Sequence, residues 1–421
     1  MDAPLTDQAI ADLVALYQDL HRHPELSFAE HRTAASVADR LTSAGYEVTT
    51  GVGGTGVVGL LRNGAGATAL LRADMDGLPV LEGTGLPYAS TARGVDPDGR
   101  DVPVMHACGH DMHVTCLIGA GQVLAETRSS WSGTLVVVFQ PAEELGAGAR
   151  AMIDDGLFER FPRPQVVLGQ HVAPFPAGFL AVRAGTAFAA ADSLRVTMFG
   201  RGAHGSRPEV SVDPVVMAAA TVLRLQTIAS REIAGTDTAI LTVGALRAGT
   251  KENIIPDDAE LLLSLRTFDP LVRSRVLEAI HRIVHGEART AGAPRAPEVE
   301  LTASFPAVVN DLAAADRTQS AFTALLDANR VIDPGVVTGS EDVGLLATAA
   351  EAPCAFWLLG GGDPEDFTEA TNADEIRQLM DSVPSNHSPL YAPVPRPTID
   401  IGVAALVAAT REWLPARALQ H

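Results

Sequence analysis

Apolar residues recur at helical spacing in the first part of the chain and in short strand-like runs after it. From residue 7 to about 45, the spacing of Ile10, Leu13, Leu16 and Leu20 predicts helix. Strand-like runs follow in TGVVGLL, TALLRADMD, GTLVVVFQPAEE and QVVLGQHV, and helical stretches such as HVTCLIGAGQVLAE alternate with the later ones. This alternation predicts an α/β layered domain with a largely parallel sheet.

The pattern changes near residue 186, where a block of the order strand, helix, strand, strand, helix begins. Strands are predicted in DSLRVTMFGRG, TAILTVGALRAG and DDAELLLSLRTF, and helices in DPVVMAAATVLRLQTIAS and LVRSRVLEAIHRIVHGEART. The block is the size of a small domain and ends near the proline-rich AGAPRAPEVE, after which helix and strand alternate again. We therefore predict a large α/β domain of residues 1–186 and 301–421, with a smaller domain of residues 187–300 inserted into it.

The composition is that of a globular protein, with 47% hydrophobic and 19% charged residues. No apolar run reaches the ~18 residues of a membrane span, and the N-terminus lacks the basic and apolar regions of a secretory signal. A net charge of −20 argues against nucleic acid and anionic membranes as partners. Three cysteines are too few for a disulfide framework, so we expect a cytoplasmic protein.

The stretch GVGGTG, residues 51–56, matches a dinucleotide-binding fingerprint. That fingerprint functions only when its last glycine opens a helix, whose N-terminal amides hold the pyrophosphate. Here the strand-like VVGLL follows. We therefore predict a glycine-rich turn between two strands and no nucleotide site.

The stretch MHACGHDMH, residues 105–113, is rich in side chains that can bind metal ions. Cys108 lies in a predicted loop before a helix, in Cys-x-His spacing with His110. A C-x-x-C redox pair is absent, and a thiol nucleophile beside a histidine is an alternative to a metal ligand. Cys116 and Cys354 lie in apolar segments and are expected to be inert core residues.

Carboxylates and histidines further along the chain favour the metal site. Glu143 and Glu144 directly follow an apolar strand, where α/β proteins place ligand sites. His171 ends another predicted strand, and His387 lies in a loop between prolines. Each alone would fit a solvated acid pair, a core histidine or a loop histidine. Together with Cys108 they predict a dinuclear site whose thiolate, imidazole and carboxylate ligands suit Zn²⁺ or another borderline transition ion.

Several stretches together make the sequence similar to the aminoacylase and carboxypeptidase-like metallohydrolases, and within them to the amidohydrolases of N-acyl amino acids, such as hippurate hydrolase and indole-3-acetyl-amino acid hydrolase. These stretches are HRHPELSFAEHRTA, LLRADMDGLPV, VMHACGHDMHVT, VFQPAEELGAGA, FGRGAHGSRPE, KENIIPDDAEL, GSEDVGLL and NHSPLY. They occur in family order and extend over nearly the whole chain. The resemblance implies a two-domain metallopeptidase-like fold, in which the large domain is catalytic and the inserted α+β domain is a dimerisation or lid domain.

The resemblance also implies which residues hold the metals. Cys108 would bridge two ions, with His110 and His171 completing one and Glu144 and His387 the other. The ions would be two divalent transition metals, namely Zn, Mn, Co or Ni.

Further roles follow from the same resemblance. Glu143 would be the general base, and Asp76 would orient a ligand histidine through its other ring nitrogen. His204 would polarise the scissile carbonyl, and Asn253 would hold the substrate carboxylate. Arg266 is either a second group for that carboxylate or an ordinary surface arginine on a strand.

Two histidines of the metal-rich stretch, His106 and His113, are left as structural residues or as supports of the ligands. Asp342, in the stretch GSEDVGLL, is a further candidate support.

The function implied by the resemblance is cleavage of N-acyl amino acids, with acetyl, benzoyl or aryl-acetyl groups, into a carboxylic acid and a free amino acid. The chain would form a homodimer through residues 187–300, with His204 completing the active site of the other subunit. One alternative is a dipeptidase or aminopeptidase of the same family. The other is a non-catalytic metal-binding protein, which would have no need of Glu143.

Overall fold

The computed structural model describes residues 5–370 and 372–416. The chain divides into two compact units, a larger one that contains both ends of the described chain and a smaller one formed mainly by its middle. The larger unit comprises the residues up to Ala187, Val309–Gly335 and those from Asp342 on, and the smaller unit comprises Phe188–Val308 and Val336–Glu341. That the smaller unit is an inserted dimerisation or lid domain stays a prediction.

The strands and helices alternate over most of the chain. The strands are β1 (Glu47–Val52), β2 (Gly56–Asn63), β3 (Thr68–Asp74), β4 (Arg93–Val95), β5 (Asp101–Pro103), β6 (Gly133–Gln140), β7 (Val166–Pro176), β8 (Leu180–Ala181), β9 (Gly185–Phe188), β10 (Ala190–Phe199), β11 (Ala203–His204), β12 (Ala239–Ala248), β13 (Ile254–Ile255), β14 (Asp258–Thr267), β15 (Glu298–Phe305), β16 (Val308–Asn310), β17 (Val331–Ile332) and β18 (Cys354–Gly362). The α-helices are α1 (Asp7–Arg22), α2 (His31–Ser43), α3 (His110–Glu126), α4 (Gly148–Asp154), α5 (Leu157–Arg160), α6 (Pro214–Thr227), α7 (Pro270–Ala291), α8 (Leu312–Leu325), α9 (Val343–Ala350), α10 (Ala373–Met380) and α11 (Pro395–Trp413). Within the described part of the chain, none of these helices is long and apolar enough to cross a membrane.

The larger unit is built on an eight-stranded sheet of the order β1-β2-β6-β3-β7-β18-β8-β17. The four central strands, β6, β3, β7 and β18, run parallel. β1 pairs antiparallel with β2, β2 with β6, and β8 with β18, whereas β8 and β17 pair parallel. The sheet is therefore mixed, and its centre is parallel as predicted. The central strands are almost wholly buried because helices such as α3 and α11 cover them.

The glycine-rich stretch at residues 51–56 is a turn between β1 and β2, which pair antiparallel. This confirms the prediction of a turn between strands. Gly53 has a φ of 65°, and a Cβ on it would lie 2.5 Å from the backbone nitrogen of Met152 in α4. The glycine is therefore needed for a left-handed backbone and for close packing of α4.

The smaller unit contains a four-stranded antiparallel sheet of the order β12-β14-β10-β15. Alternate residues of β14 are buried, and α6 and α7 pack on the sheet to form a separate apolar core. The predicted strands and helices of this block are present, and β15 is an additional strand that the predicted boundary at residue 300 divides. No residue of β15 is fully buried, which explains why its pattern gave no clear strand signal.

A buried arginine connects several elements of the larger unit beneath the ends of the parallel strands. Arg72 of β3 is 1% exposed and donates to Asp74 at 2.7 Å, to Gln140 at 2.9 Å and to Asp342 at 3.0 Å. Asp342 also accepts from the backbone N–H of Ala149, at 3.1 Å. Removing Arg72 would leave the buried carboxylates of Asp74 and Asp342 without this cation, and an unpaired buried charge typically costs several kcal/mol. Asp342 therefore supports the fold beneath the strand ends.

A second buried ion cluster joins α1 to the start of α3. His21 contacts Asp111 through Nδ1, at 2.6 Å, and Glu82 through Nε2, at 3.1 Å. Burial alone would lower the pKa of His21, but Asp111 and Glu82 outweigh it and raise that pKa to about 9. His21 is therefore an imidazolium that donates from both ring nitrogens at neutral pH.

These ion pairs predict a pH-dependent contribution to stability. The pKa of His21 is raised above the ~6.5 of an unfolded histidine, so the contribution is fully present below about pH 6.5 and is lost as the pH rises through about 9. We expect the stability difference between the wild type and His21→Gln to be roughly 3 kcal/mol larger at about pH 6 than at about pH 10. Urea denaturation of both metal-free proteins measures this difference, and equal values at the two pH extremes would contradict the prediction.

Candidate metal centre

The backbone at the start of α3 sets the position of Cys108 and His110. Gly109, between them, has a φ of 83°, and a Cβ on it would lie 2.4 Å from a methyl group of Val172. His110 is the first residue of α3 and is fully buried, while Cys108 is 8% exposed. The loop thus packs tightly on β7 and places a thiol and an imidazole together at a helix N-terminus, which favours the thiolate.

The first donor group consists of Cys108, His110 and His171, whose ligand atoms all lie within 4.8 Å of one another. Cys108 Sγ is 3.5 Å from His171 Nε2. The expectation that a strand ends at His171 is wrong, because β7 continues to Pro176. Pairing of β7 with β3 nevertheless stops at Gly169, whereas pairing with β18 continues. His171 thus lies beyond the end of β3, where the sheet opens.

The second donor group consists of Cys108, Glu144 and His387, also within 4.8 Å of one another. His387 Nε2 is 3.5 Å from Glu144 Oε1. His387 has a φ of 70°, and its backbone N–H donates to Ala107 at 2.8 Å. Both donor groups therefore share Cys108. The second group brings Cys108 together with Glu144 and His387, which lie in two later segments of the chain.

Asp76, just after β3, contacts His110 and the backbone of the paired glutamates, and so touches members of both donor groups. Its Oδ1 is 3.2 Å from His110 Nδ1, so His110 directs Nε2 towards the other donor atoms. Asp76 also accepts from the backbone N–H groups of Glu143, at 3.1 Å, and Glu144, at 3.0 Å. The same carboxylate therefore orients a histidine and the paired glutamates.

His113 supports the site through the backbone of β7. Its Nε2 accepts from Val172 N–H at 2.7 Å, so its proton lies on Nδ1, which donates to Asp74 at 2.5 Å. His171 Nδ1 donates to the carbonyl of Val172 at 2.8 Å, which leaves its Nε2 lone pair facing Cys108. His106 is buried, and neither ring nitrogen has a hydrogen-bond partner among the residues that the structure describes.

Sequence reasoning missed Asn386 as a neighbour of the thiol. Its Nδ2 donates to the carbonyls of Cys108, at 3.0 Å, and Val172, at 3.2 Å, and is 3.8 Å from Cys108 Sγ. The only available signal was its place next to His387 in NHSPLY. The contact itself spans 278 residues of sequence.

Electrostatics in the cluster favour the ligand form of its thiol. Burial alone would raise the pKa of Cys108, but His171, His110 and His387 lower it well below its usual range. Burial raises the pKa of Glu144 to about 7, and the negative charge of Cys108 adds to this effect. The negative charges of Cys108 and Glu144 therefore repel each other. A bound cation would offset this repulsion.

The donor set meets the requirements of two transition-metal ions. His110 Nε2 and Glu144 Oε1 are buried polar atoms without a hydrogen-bond partner within the described ranges. Such atoms are costly to bury unless a ligand satisfies them. A thiolate, imidazoles and a carboxylate are the donors that zinc and similar ions prefer.

Three predicted substrate-contacting residues lie in the smaller unit. His204 of β11 is exposed, and its Nδ1 accepts from Ser206 N–H at 3.1 Å, so the neutral ring carries its proton on Nε2. Gly205 N–H donates to the Asn253 carbonyl at 2.8 Å, which brings exposed Asn253 beside His204. Half-buried Arg266, on β14, donates to the Thr338 carbonyl at 2.9 Å.

Comparison with known proteins identifies the family. The sequence profile of peptidase family M20/M25/M40 matches residues 70–383. Hippurate hydrolase of Campylobacter jejuni is 38% identical over 80% of this chain and 85% of that protein. Thermostable carboxypeptidase 1 of Saccharolobus solfataricus is 34% identical over 83% of this chain and 85% of that protein.

A solved structure shares the fold as well. A Bacillus subtilis protein, described as a dinuclear metal binding peptidase from the M20 family, superposes with a TM-score of 0.75 and 27% identity, covering 96% of this chain and 99% of that one. This chain therefore belongs to peptidase family M20/M25/M40, which confirms the family resemblance predicted from its motifs.

Proposed function

We propose that the protein is a metal-dependent amidohydrolase that cleaves N-acyl amino acids into a carboxylic acid and a free amino acid. The observation that carries this proposal is the pair of donor groups sharing Cys108, with a further buried carboxylate, Glu143, beside them. The 38% identity to a hippurate hydrolase supports an N-acyl amino acid as substrate.

Two divalent ions fit the donor groups. Cys108, His110 and His171 would hold one ion, and Cys108, Glu144 and His387 the other; Zn, Mn, Co and Ni suit these donors. When bound, such ions lower the pKa of water and stabilise negative charge on a carbonyl oxygen. The structure supports Cys108 as the shared ligand because its Sγ is the only atom common to both groups.

Glu143 would be the general base, and two observations support this role. Its Oε2 is 3.9 Å from His110 Nε2, and its side chain is 7% exposed. It would take a proton from the attacking water and return it to the departing nitrogen, because a neutral amine is the better leaving group. Asp76 accepts a hydrogen bond from the backbone N–H of Glu143, which limits the movement of this base.

His204, Asn253 and Arg266 would act on the substrate. The Nε2–H of His204 can donate to the developing oxyanion, a stabilisation often worth several kcal/mol. Asn253 lies beside His204 and would bind the substrate carboxylate. Arg266 has a carbonyl partner already, which supports its structural alternative as much as a binding role.

A homodimer through the smaller unit belongs to the same proposal. The edge strand β12 exposes Ile240 and Leu246, each 44% accessible, and an unpaired edge with apolar side chains favours pairing with a second copy. His204 would then complete the site of the other subunit. A cytoplasmic location is supported by the cysteines, since all three are described and none of them forms a disulfide.

A peptidase acting on dipeptides is the second candidate function. The 34% identity to a carboxypeptidase favours it, since both reactions hydrolyse an amide next to a carboxylate. A metal-binding protein without activity is the weaker alternative, because such a protein has no use for Glu143.

The proposed function predicts a substrate preference that a direct screen measures. We expect the metal-loaded protein to hydrolyse acetyl-, benzoyl- or indole-acetyl-amino acids with a higher kcat/KM than dipeptides. Chelation should abolish activity, and Zn²⁺, Mn²⁺ or Co²⁺ should restore it. A higher kcat/KM for dipeptides would instead establish the peptidase, and no turnover of either class would leave only metal binding.

The different roles proposed for Glu143 and Glu144 predict different effects of two conservative variants on metal content and kcat. Glu143→Gln should keep its metal but lower kcat by at least ~10²-fold, the usual cost of losing a general base. Glu144→Gln should instead lose metal, as should Cys108→Ala. Elemental analysis and steady-state kinetics measure both effects, with Cys116→Ala, a buried cysteine outside the site, as the matched control. Metal loss in both glutamate variants, or full occupancy in Cys108→Ala, would overturn these assignments.

The proposed role of His204 predicts complementation between inactive subunits. His204→Ala should bind metal normally and lose ~10²-fold in kcat, as expected for loss of an oxyanion donor. Mixing His204→Ala chains with Glu143→Gln chains should restore activity, because a mixed dimer contains one intact composite site. Absence of recovery after verified subunit exchange would show that His204 does not serve the other subunit.

A further inference from the structure

Glu30 is a buried carboxylate at the start of α2 that does not cap this helix. It occupies the N-cap position of α2 and is 0% exposed, yet its side chain makes no capping hydrogen bond. The N–H groups of Arg32 and Thr33 donate instead to Glu25, at 2.9 and 2.8 Å. The helix end is therefore satisfied without Glu30, and its burial calls for another explanation.

The carboxylate of Glu30 is directed towards the loop that carries the paired glutamates. Its Oε1 accepts from Ala142 N–H at 2.8 Å, and its Oε2 accepts from the Thr55 hydroxyl. Both partners are neutral groups, so neither hydrogen bond neutralises the buried charge. Burial raises the pKa of Glu30, and the hydrogen bonds from Thr55 and Ala142 oppose that rise in part.

Ala142 adopts a backbone conformation that a residue with a Cβ avoids. Its φ is 47°, in the left-handed region. The backbone N–H groups of Ala147 and Gly148 donate to its carbonyl, at 3.3 and 3.0 Å, and a Cβ on Gly148 would lie 1.5 Å from the carbonyl of Pro141. The loop after β6 is thus a tight turn whose direction is set at Ala142, immediately before Glu143.

Three consecutive N–H groups of this turn are held by buried carboxylates. Ala142 donates to Glu30, while Glu143 and Glu144 donate to Asp76. Asp76 also orients His110 and so acts on the metal ligands as well. Glu30 differs from Asp76 in that the hydrogen bonds of its carboxylate go to the turn and to Thr55, and none goes to a histidine of the donor groups within the described chain, although the charge of Asp76 also raises its pKa.

We propose that Glu30 is a positioning residue for the general base: its carboxylate holds Ala142 in the left-handed conformation that aims the Glu143 side chain at the metal centre. This rests on the proposed function of Glu143 and extends it to a residue that contacts neither substrate nor metal. Misplacing a catalytic group by about 1 Å can cost ~10²-fold in rate, so a turn held from outside the site can control kcat.

The test compares variants that keep or remove the hydrogen-bond acceptor. Glu30→Met retains the side-chain volume and loses the acceptor, and it should lower kcat by roughly 10- to 100-fold at full metal load, with little change in KM. Glu30→Gln can still accept from Ala142 N–H and can donate to the Thr55 hydroxyl, so it should retain most of the activity. If Glu30→Met fails to fold, Glu30→Ala serves in its place.

A second substitution distinguishes positioning from general structural support. Glycine adopts a left-handed backbone without penalty, so Ala142→Gly should restore several-fold of the lost kcat when added to Glu30→Met. Glu25→Ala, which removes the side chain that accepts from the first N–H groups of α2, is the control: it should lower Tm and leave kcat unchanged. Wild-type kcat in Glu30→Met, an equal kcat loss in Glu25→Ala, or no rescue by Ala142→Gly would each overturn the proposal.

Hydrogen exchange gives a readout that does not depend on activity. In the metal-free protein, mass spectrometry of the peptide covering residues 140–146 should show faster exchange in Glu30→Met than in the wild type, and unchanged exchange in Glu25→Ala. If the wild type hydrolyses no amide, the proposed function fails, whereas this measurement still decides whether Glu30 holds the turn. Unchanged exchange in Glu30→Met would reject that role outright.

Discussion

The carboxylate of Asp76 is the contact on which the geometry of the metal centre depends. It accepts from Ser27 Oγ at 2.6 Å, lies 3.2 Å from His110 Nδ1 and holds the N–H groups of Glu143 and Glu144. Burial would raise the pKa of Asp76, but its hydrogen bonds, led by that of His110, lower it, so it stays ionised. The carboxylate of Asp76 thus connects three segments that are distant in sequence, those of Ser27, His110 and the paired glutamates. The last two segments carry proposed metal ligands and the proposed general base.

The parallel centre of the sheet explains why the carboxylate of Asp76 can reach the loop of the paired glutamates. The carboxyl ends of β3 and β6 lie at one edge and lead to Asp76 and Glu143, and His171 of β7 lies just beyond the last residue of β7 that pairs with β3. Ligand sites in α/β sheets form at such edges because several chain segments turn there together. The buried Arg72 network lies beneath the same strand ends and joins them to Asp342.

The two units differ in the kind of side chains that they bury. The larger unit buries charged groups in networks such as that of Arg72, and His110 Nε2 and Glu144 Oε1 are among its buried atoms without a hydrogen bond in the described chain. The smaller unit forms its core from apolar side chains of an antiparallel sheet and two helices, and its candidate substrate groups, His204 and Asn253, are exposed beside each other. Tight control of ligand geometry therefore belongs to the larger unit.

The sequence by itself determined the features that depend on short-range patterns. Apolar runs predicted the central strands, and the spacing of Cys108 and His110 across a helix start, like that of Glu143 and Glu144 after a strand, placed candidate ligands correctly on their elements. Tertiary structure alone decided how these elements meet. The mixed order of the sheet, the continuation of β7 past His171 and the contacts of Asn386 and Glu30 all depend on partners far away. Glu30 and Ala142 are 112 residues apart, and no local pattern encodes a hydrogen bond between a helix start and a distant turn, because its formation depends on the packing of everything between them.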